Sequence, residues 1–260
     1  MAKDCQGLSV PAVSFVHGRG PVFYSSVPCA DETLKRCRTN GAEDKHRLVS
    51  TLWDHLAALE SPLWKRCQSS NQAAFPIQVV CDPLGRPHLL LGEYPGPAIS
   101  FSEGGGKVWA ALCGDEFDIG IDVAGADEFQ REYPVHRVFH PQELQHALSL
   151  ADGDLGKASA LLWSIKEAVV KALGCAFHLV DPRQIIVYPS VGGDGGYAFP
   201  VGLSGKARAR FPKAAGRSLW VLSIPQGKMW LSIAHLSWQS RGEDGGDFST
   251  RALRRQNVDL

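Results

Sequence analysis

The sequence lacks a surplus of charge of either sign: 27 Lys and Arg stand against 27 Asp and Glu. A balance of this kind argues against wholesale binding to nucleic acid and leaves room only for a local basic patch. Paired cysteines are also missing. The seven are scattered singly (Cys5, Cys29, Cys37, Cys67, Cys81, Cys113, Cys175), odd in number and with no C-x-x-C, which excludes a zinc knuckle or a disulfide framework and predicts reduced, inert thiols. The nine histidines show no metal-ligand spacing. No apolar run approaches the roughly 18–20 residues that span a bilayer. The start, "MAKDCQGLSV", lacks the charged-then-apolar pattern of a signal peptide. A cytoplasmic protein without membrane contact is the expectation.

What is present is an ordinary globular composition, 44% hydrophobic and 21% charged, over 260 residues. Residues 1–30 are broken by Pro11, Gly18, Gly20, Pro21 and Pro28 and read as irregular. Helical periodicity runs from about Ala42 to Leu59. "FPIQVVCDPLGRPHLLL" reads as strand, turn, strand, and 97–123 as three strands. "PQELQHALSL" (141–150) reads as a short helix opened by proline, followed by a long helix at about 156–173. From Ile185 to Trp238 the segments are strand-like, and 241–260 reads as a disordered tail.

Helix-then-strands occurs twice. The expectation is an α+β protein of two similar halves related by a pseudo-twofold, each a helix packed on an antiparallel sheet, with the active site in the cleft between them. The predicted boundaries are 1–118, 119–240 and a tail at 241–260. Two fused halves predict a monomer.

Two stretches carry chemistry. In "LLWSIKEAVVKALG" (161–174), at about 100° per residue, Leu161, Leu162, Ile165, Ala168, Val169, Ala172 and Leu173 share an apolar arc. Ser164, Glu167 and Lys171 form a narrow polar stripe, and Gly174 is placed as a C-cap. Glu167 and Lys171, four apart, fit either a surface ion pair or a carboxylate and ammonium facing a polar cleft. In "DIGIDV" (118–123), Asp118 and Asp122 share one strand face. An acid there is costly unless paired, hydrogen-bonded or metal-bound, and a strand-end turn residue reads equally well.

Taken together, Gly120-Ile121-Asp122 and the W-x-x-K-E-x-x-x-K run from Trp163 to Lys171 resemble the signature of the 4′-phosphopantetheinyl transferases, best the larger two-halved type that activates nonribosomal peptide and polyketide synthases. Between them, "RVFHPQEL" resembles the family's F-x-x-x-E segment. Upstream, "LKRCRTNGAEDKHRL", "LGRPHLL" and "AISFSEGGGKVWAAL" resemble its basic stretch, G-[KR]-P hairpin and S-H-S strand. The resemblance implies transfer of 4′-phosphopantetheine from coenzyme A to a serine of an acyl or peptidyl carrier protein, releasing 3′,5′-ADP. It implies Mg²⁺ on Asp122 and Glu167, with Glu167 also the base for the serine hydroxyl. Lys166 and Lys171 would steady the phosphates. Lys35, Arg38, Arg47 and Arg86 would hold the nucleotide, with Ser100 beside it; Trp163 would anchor the core. Two departures stand out. The histidine of S-H-S is Phe101, and the acid two places after Asp122 is Ala124, leaving water, Glu116 or Asp118 to complete a metal shell. They keep a second class open: a non-catalytic relative that binds carrier protein or coenzyme A.

Overall fold

The computed structural model describes residues 9–13, 21–29, 40–58, 77–92, 94–113, 118–129, 133–193 and 195–240. The first half contributes strands β1 (Ala12–Val13) and β2 (Val22–Pro28), helix α1 (Asn40–Ala58), then β3 (Ile77–Cys81), β4 (Pro87–Leu91), β5 (Tyr94–Pro95), β6 (Ile99–Gly104) and β7 (Lys107–Cys113). The second contributes β8 (Asp118–Gly125), short α2 (Val135–Val138), α3 (Pro141–Leu150) and α4 (Leu155–Ala172). It continues with β9 (Ile185–Val187), β10 (Val191–Gly193), β11 (Gly196–Leu203), α5 (Gly205–Arg210), α6 (Pro212–Ala215), β12 (Arg217–Gln226) and β13 (Met229–Ser240).

The fold is mixed α+β with antiparallel sheets, ordered β1-β2-β7-β6 and β10-β11-β12-β13-β8; β9 pairs with β11, and β3-β4-β5 form a small third sheet. Alternation along the strands explains the layering. On β7, Val108, Ala110 and Leu112 face α1, beside Leu48, Leu52 and Leu56. The alternate residues Trp109, Ala111 and Cys113 pack against Ile119, Ile121 and Val123 of β8 and against Leu231 and Ile233. The other face of the second sheet is covered by α4. The layers therefore run helix, sheet, sheet, helix. A strand buried on both faces must be apolar at nearly every position, as "KVWAALC" and "IGIDVA" are.

α4 lies close on β8. A side chain added at Gly120 would stand 1.9 Å from the Ala168 carbonyl oxygen, so only glycine lets this strand and helix approach. Asp154 caps the helix start, accepting from the Lys157 amide at 3.0 Å. Its end is a Schellman turn: Gly174 has φ +69°, its amide donates to Lys171, and Cys175 donates to Val170.

The expected helices, the hairpin and the strand of "DIGIDV" all form, each within a residue or two. The region expected to be irregular instead holds β2, whose seven residues pair with β7 from end to end. Among the described residues no helix is long and apolar enough to cross a membrane. Lys35, Arg38, Glu116 and the tail 241–260 lie outside the described residues.

Candidate active site

The polar stripe of α4 is only partly open to water: Ser164 is buried, and Glu167 and Lys171 are half-buried. Beneath it a polar row crosses the second sheet, because Ser223 of β12 lies opposite Ser232 of β13, and Ser232 opposite Asp122 of β8. Ser164 of α4 meets Ser232 at 2.7 Å, and Ser232 meets Ser223 at 2.8 Å. One turn and two turns further along the helix come Glu167 and Lys171. Lys171 Nζ donates to Asp122 Oδ1 at 2.8 Å and to the Ile121 carbonyl at 3.0 Å. The surface ion pair between Glu167 and Lys171 is therefore not formed; the lysine reaches across to the strand.

The row continues onto the first sheet. β6 and β8 are edge strands of their sheets, and serine side chains join them where no backbone ladder does. Ser100 Oγ accepts from the Ile121 amide at 3.1 Å, and Ser102 Oγ from the Val123 amide at 3.2 Å. Ser102 in turn donates to Asp122 Oδ1 at 2.9 Å. These hydroxyls satisfy strand amides that would otherwise be buried without acceptors. They also fix the Asp122 carboxylate, which is only 7% exposed. Ser100, expected beside a nucleotide, is a buried part of this seam.

Asp122 Oδ1 thus takes two donors, and its other oxygen has no hydrogen bond among the described residues. Glu167 has no hydrogen-bond or ion-pair partner among the described residues. Burial pushes its pKa up, the Asp122 carboxylate pushes it further, and Lys171 pulls it back. Tyr133 stands nearby within an aromatic group, 4.8 Å from Phe129 and 6.2 Å from Trp163 between ring centroids. Burial and the Glu167 charge raise its phenol to about 12. Trp163 itself packs against Phe177 at 5.0 Å, as a core anchor should.

Lys166 points elsewhere. Its side chain is fully buried, and its ammonium donates to Glu143 Oε1 at 2.6 Å and to the carbonyls of Pro182 and Ile185, both at 2.9 Å. Glu143 is equally committed: it accepts from the His140 and Val187 amides as well. Burial pushes the Lys166 pKa down and Glu143 opposes that. The expectation that Lys166 steadies phosphates is corrected by this geometry, since no donor is left and no solvent reaches it.

Among the basic residues, Arg47 is exposed on α1. Arg86, just before β4, forms an ion pair with Asp118 at the head of β8. That engages Asp118 and removes it as a completing metal ligand; it is also four residues from Asp122, about 13 Å along a strand. Ala124 is buried against apolar neighbours, so this position supplies no oxygen. Phe101 instead lies under Lys45, whose Nζ is 5.7 Å from the ring centroid.

Among the described residues no three His, Cys, Asp or Glu side chains gather about one point. What the site offers a cation, among the described residues, is two nearby carboxylates with uncommitted oxygens, Asp122 and Glu167. Such a donor set fits a hard, partly hydrated ion that keeps several waters. Sequence reasoning missed Ser102, Ser232 and Glu143 as residues with a definite place here. The signal for Ser102 was the second serine of S-F-S; for Glu143 it was the acid of "FHPQE".

Residues 118–200, about a third of the chain, match the family model described as ACPS, the 4′-phosphopantetheinyl transferase superfamily. The matched segment carries Asp122, Glu143, Lys166, Glu167 and Lys171, and it supports a place in that superfamily. No curated protein matches the chain. Among solved structures, the Chronobacterium ammoniagenes ACPS-CoA complex is 21% identical, with a TM-score of 0.40, covering 48% of this chain and 99% of that one. The apo-ACPS structure from the same organism is also 21% identical, with a TM-score of 0.38 and coverage of 46% and 95%.

Proposed function

We propose that the protein transfers 4′-phosphopantetheine from coenzyme A to a serine of an apo carrier protein and releases 3′,5′-ADP. The observation that carries this reading is the pair of carboxylates: Asp122 is held by Ser102 and Lys171, and Glu167 has no hydrogen-bond or ion-pair partner among the described residues. An unpartnered acid with a raised pKa beside a fixed acid and an ammonium is the arrangement a general base and anion-binding site require. In this reading the oxygen of the carrier serine attacks the phosphorus that bears pantetheine, and the bond from that phosphorus to the 3′,5′-ADP oxygen breaks. Glu167 accepts the serine proton. Lys171, drawn to Asp122 in the resting site, neutralises charge on the phosphates. Ser102 and the Ile121 carbonyl keep Asp122 and Lys171 in place. Asp122 and Glu167 would hold Mg²⁺, which when bound neutralises the pyrophosphate and polarises the phosphorus under attack. Lys35, Arg38, Arg47 and Arg86 would hold the nucleotide, as the family resemblance implies. The two helix-covered sheets would form the two sides of the cleft, in the manner of the larger two-halved enzymes, and the chain would act as a monomer.

The test uses labelled coenzyme A, Mg²⁺ and a panel of apo carrier domains, with the parent and Asp122→Ala. The expected result is Mg²⁺-dependent labelling of a carrier serine by the parent and none by the folded variant. Equal labelling by both would remove Asp122 from the chemistry. Phe101 and Ala124 favour a second reading, a relative that binds coenzyme A or carrier without turnover. Saturable binding with no labelling of any carrier would select it.

A further inference from the structure

Two serines flank Asp122, and only one donates to it. Ser102 of β6 gives its proton to Asp122 Oδ1 at 2.9 Å. Ser232 lies directly opposite Asp122 on the neighbouring strand β13, yet among the described residues it makes no hydrogen bond to the carboxylate. Side chains opposed in this way have Cβ atoms roughly 4.5–5.5 Å apart, close enough for a serine hydroxyl to reach a carboxylate. A hydroxyl that donates to a carboxylate makes a bond about twice as strong as one to a neutral acceptor. Ser232 forgoes that bond.

One proton per hydroxyl explains why. Ser164 Oγ lies 2.9 Å from the Leu161 carbonyl, which can only accept, so the Ser164 proton is used there. Ser164 must then accept at its 2.7 Å contact with Ser232, and Ser232 donates. With that proton spent, Ser232 accepts at its 2.8 Å contact with Ser223. The chain of hydroxyls runs one way, from Ser223 to Ser232 to Ser164 to the Leu161 carbonyl. All three serines are fully buried. A buried hydroxyl without an acceptor costs free energy, so the direction is fixed by the carbonyl at its end.

We propose that Ser164 is a positioning residue for the cation site: by taking the Ser232 proton it keeps that hydroxyl off Asp122 and leaves Asp122 Oδ2 open to a divalent cation. This rests on the reading of Asp122 as a cation ligand and adds what keeps that ligand open. Without Ser164, the two remaining hydroxyls are both satisfied if Ser223 still donates to Ser232 and Ser232 turns to donate to Asp122. The turn needs a change of one side-chain rotamer. The new donor would occupy the oxygen that a cation needs.

Mn²⁺ serves as the probe, its free concentration read by electron paramagnetic resonance in titrations of the full chain. The parent is compared with Asp122→Ala, Ser164→Ala and Ser164→Ala/Ser232→Ala, with near-ultraviolet circular dichroism checking native packing. The parent should bind and Asp122→Ala should not. Ser164→Ala should bind about tenfold more weakly, the effect of one hydrogen bond to a charged group. The double variant lacks the donor and should recover the parental affinity, whereas damage to packing would accumulate. In carrier labelling, Ser164→Ala should need about tenfold more Mg²⁺ for half-maximal turnover, with kcat at saturating Mg²⁺ near the parent value. Ser164→Cys keeps the shape with a far weaker acceptor, and its Mn²⁺ affinity should fall in the same direction. Parental affinity in both Ser164 single variants overturns the proposal, as does a double variant as weak as Ser164→Ala. Equal Mn²⁺ binding by the parent and Asp122→Ala, or none by the parent, removes the cation site itself, and the proposal falls with it.

Discussion

Of the three lysines on helix α4, Lys166 and Lys171 are each bonded to a carboxylate, and their surroundings differ completely. Lys166 and Glu143 form a closed unit: backbone carbonyls take the remaining ammonium protons, and backbone amides take the remaining carboxylate lone pairs. Lys171 and Asp122 form an open one, with the lysine part-exposed and a second acid, Glu167, left beside them without a partner among the described residues. A buried pair with every group satisfied locks elements together, here α3, α4 and the segment from Pro182 to Ile185. A pair with a surplus acid is destabilising in the absence of something to bind, and that cost is the mark of a functional site. In the sequence the two lysines look alike. In the fold, one is fully buried in the core and the other is partly exposed.

The comparison breaks most sharply on turnover. Glu167→Gln keeps the shape of the side chain and removes its charge and basicity. Loss of a general base lowers rate by about 10²- to 10⁴-fold. Coenzyme A binding should fall less than turnover, because the basic groups remain. Turnover of carrier labelling within tenfold of the parent would show that the open site is no more than a second structural pair.

Lys166→Met tests the closed unit. It leaves Glu143 buried and without its cation, a change that costs about 3–5 kcal/mol when one partner of a buried pair is removed. Urea unfolding should show this loss. Turnover per folded molecule, measured where the variant is still native, should stay near the parent value. A variant of unchanged stability but abolished turnover would return Lys166 to the phosphates.

Much of this was legible in sequence, and the failures have physical causes. Helix α4, its glycine stop and the "DIGIDV" strand follow from periodicity and local capping, which neighbouring residues encode. β2 was hidden because prolines and glycines flank "VFYSSVP" and its pairing partner, β7, lies far along the chain, from Lys107 to Cys113. The acid, the second lysine and the strand aspartate were found as a group. Which lysine was buried was not legible, since Lys166 lies on an arc of α4 that only α3 and the Pro182 turn cover. The serine seam was invisible for the same reason: Ser100 and Ser102 look like ordinary alternating strand residues until β6 is set edge to edge with β8. Sequence spacing also favoured Glu167 and Lys171 as partners, yet Asp122, far away in the chain, captures the lysine.

The smallest expected effect is on stability, and its sign is opposite for the two units. The pKa of Glu167 is raised in the folded protein, by burial first and by Asp122 second. Between its unfolded and folded pKa values the native state binds more protons than the unfolded state, so native stability falls as pH rises through that window. Above it, the full penalty of an ionised, crowded carboxylate is present. Glu167→Gln removes the charge, so at neutral pH the variant should melt higher than the parent in metal-free buffer. A difference worth one kcal/mol corresponds to about 2–4 °C in a chain approaching this size. On acidification below the ordinary glutamate range the parent takes up its proton and the gain should vanish. Saturating Mg²⁺ should raise the melting temperature of the parent and not of the variant, since a ligand of the native state stabilises only the protein that binds it. Thermal melts across pH, with and without Mg²⁺, measure all three. A variant that melts lower than the parent at neutral pH would mean that Glu167 makes a favourable contact in the native state, and the contrast between the closed and the open lysine pair would lose its energetic basis.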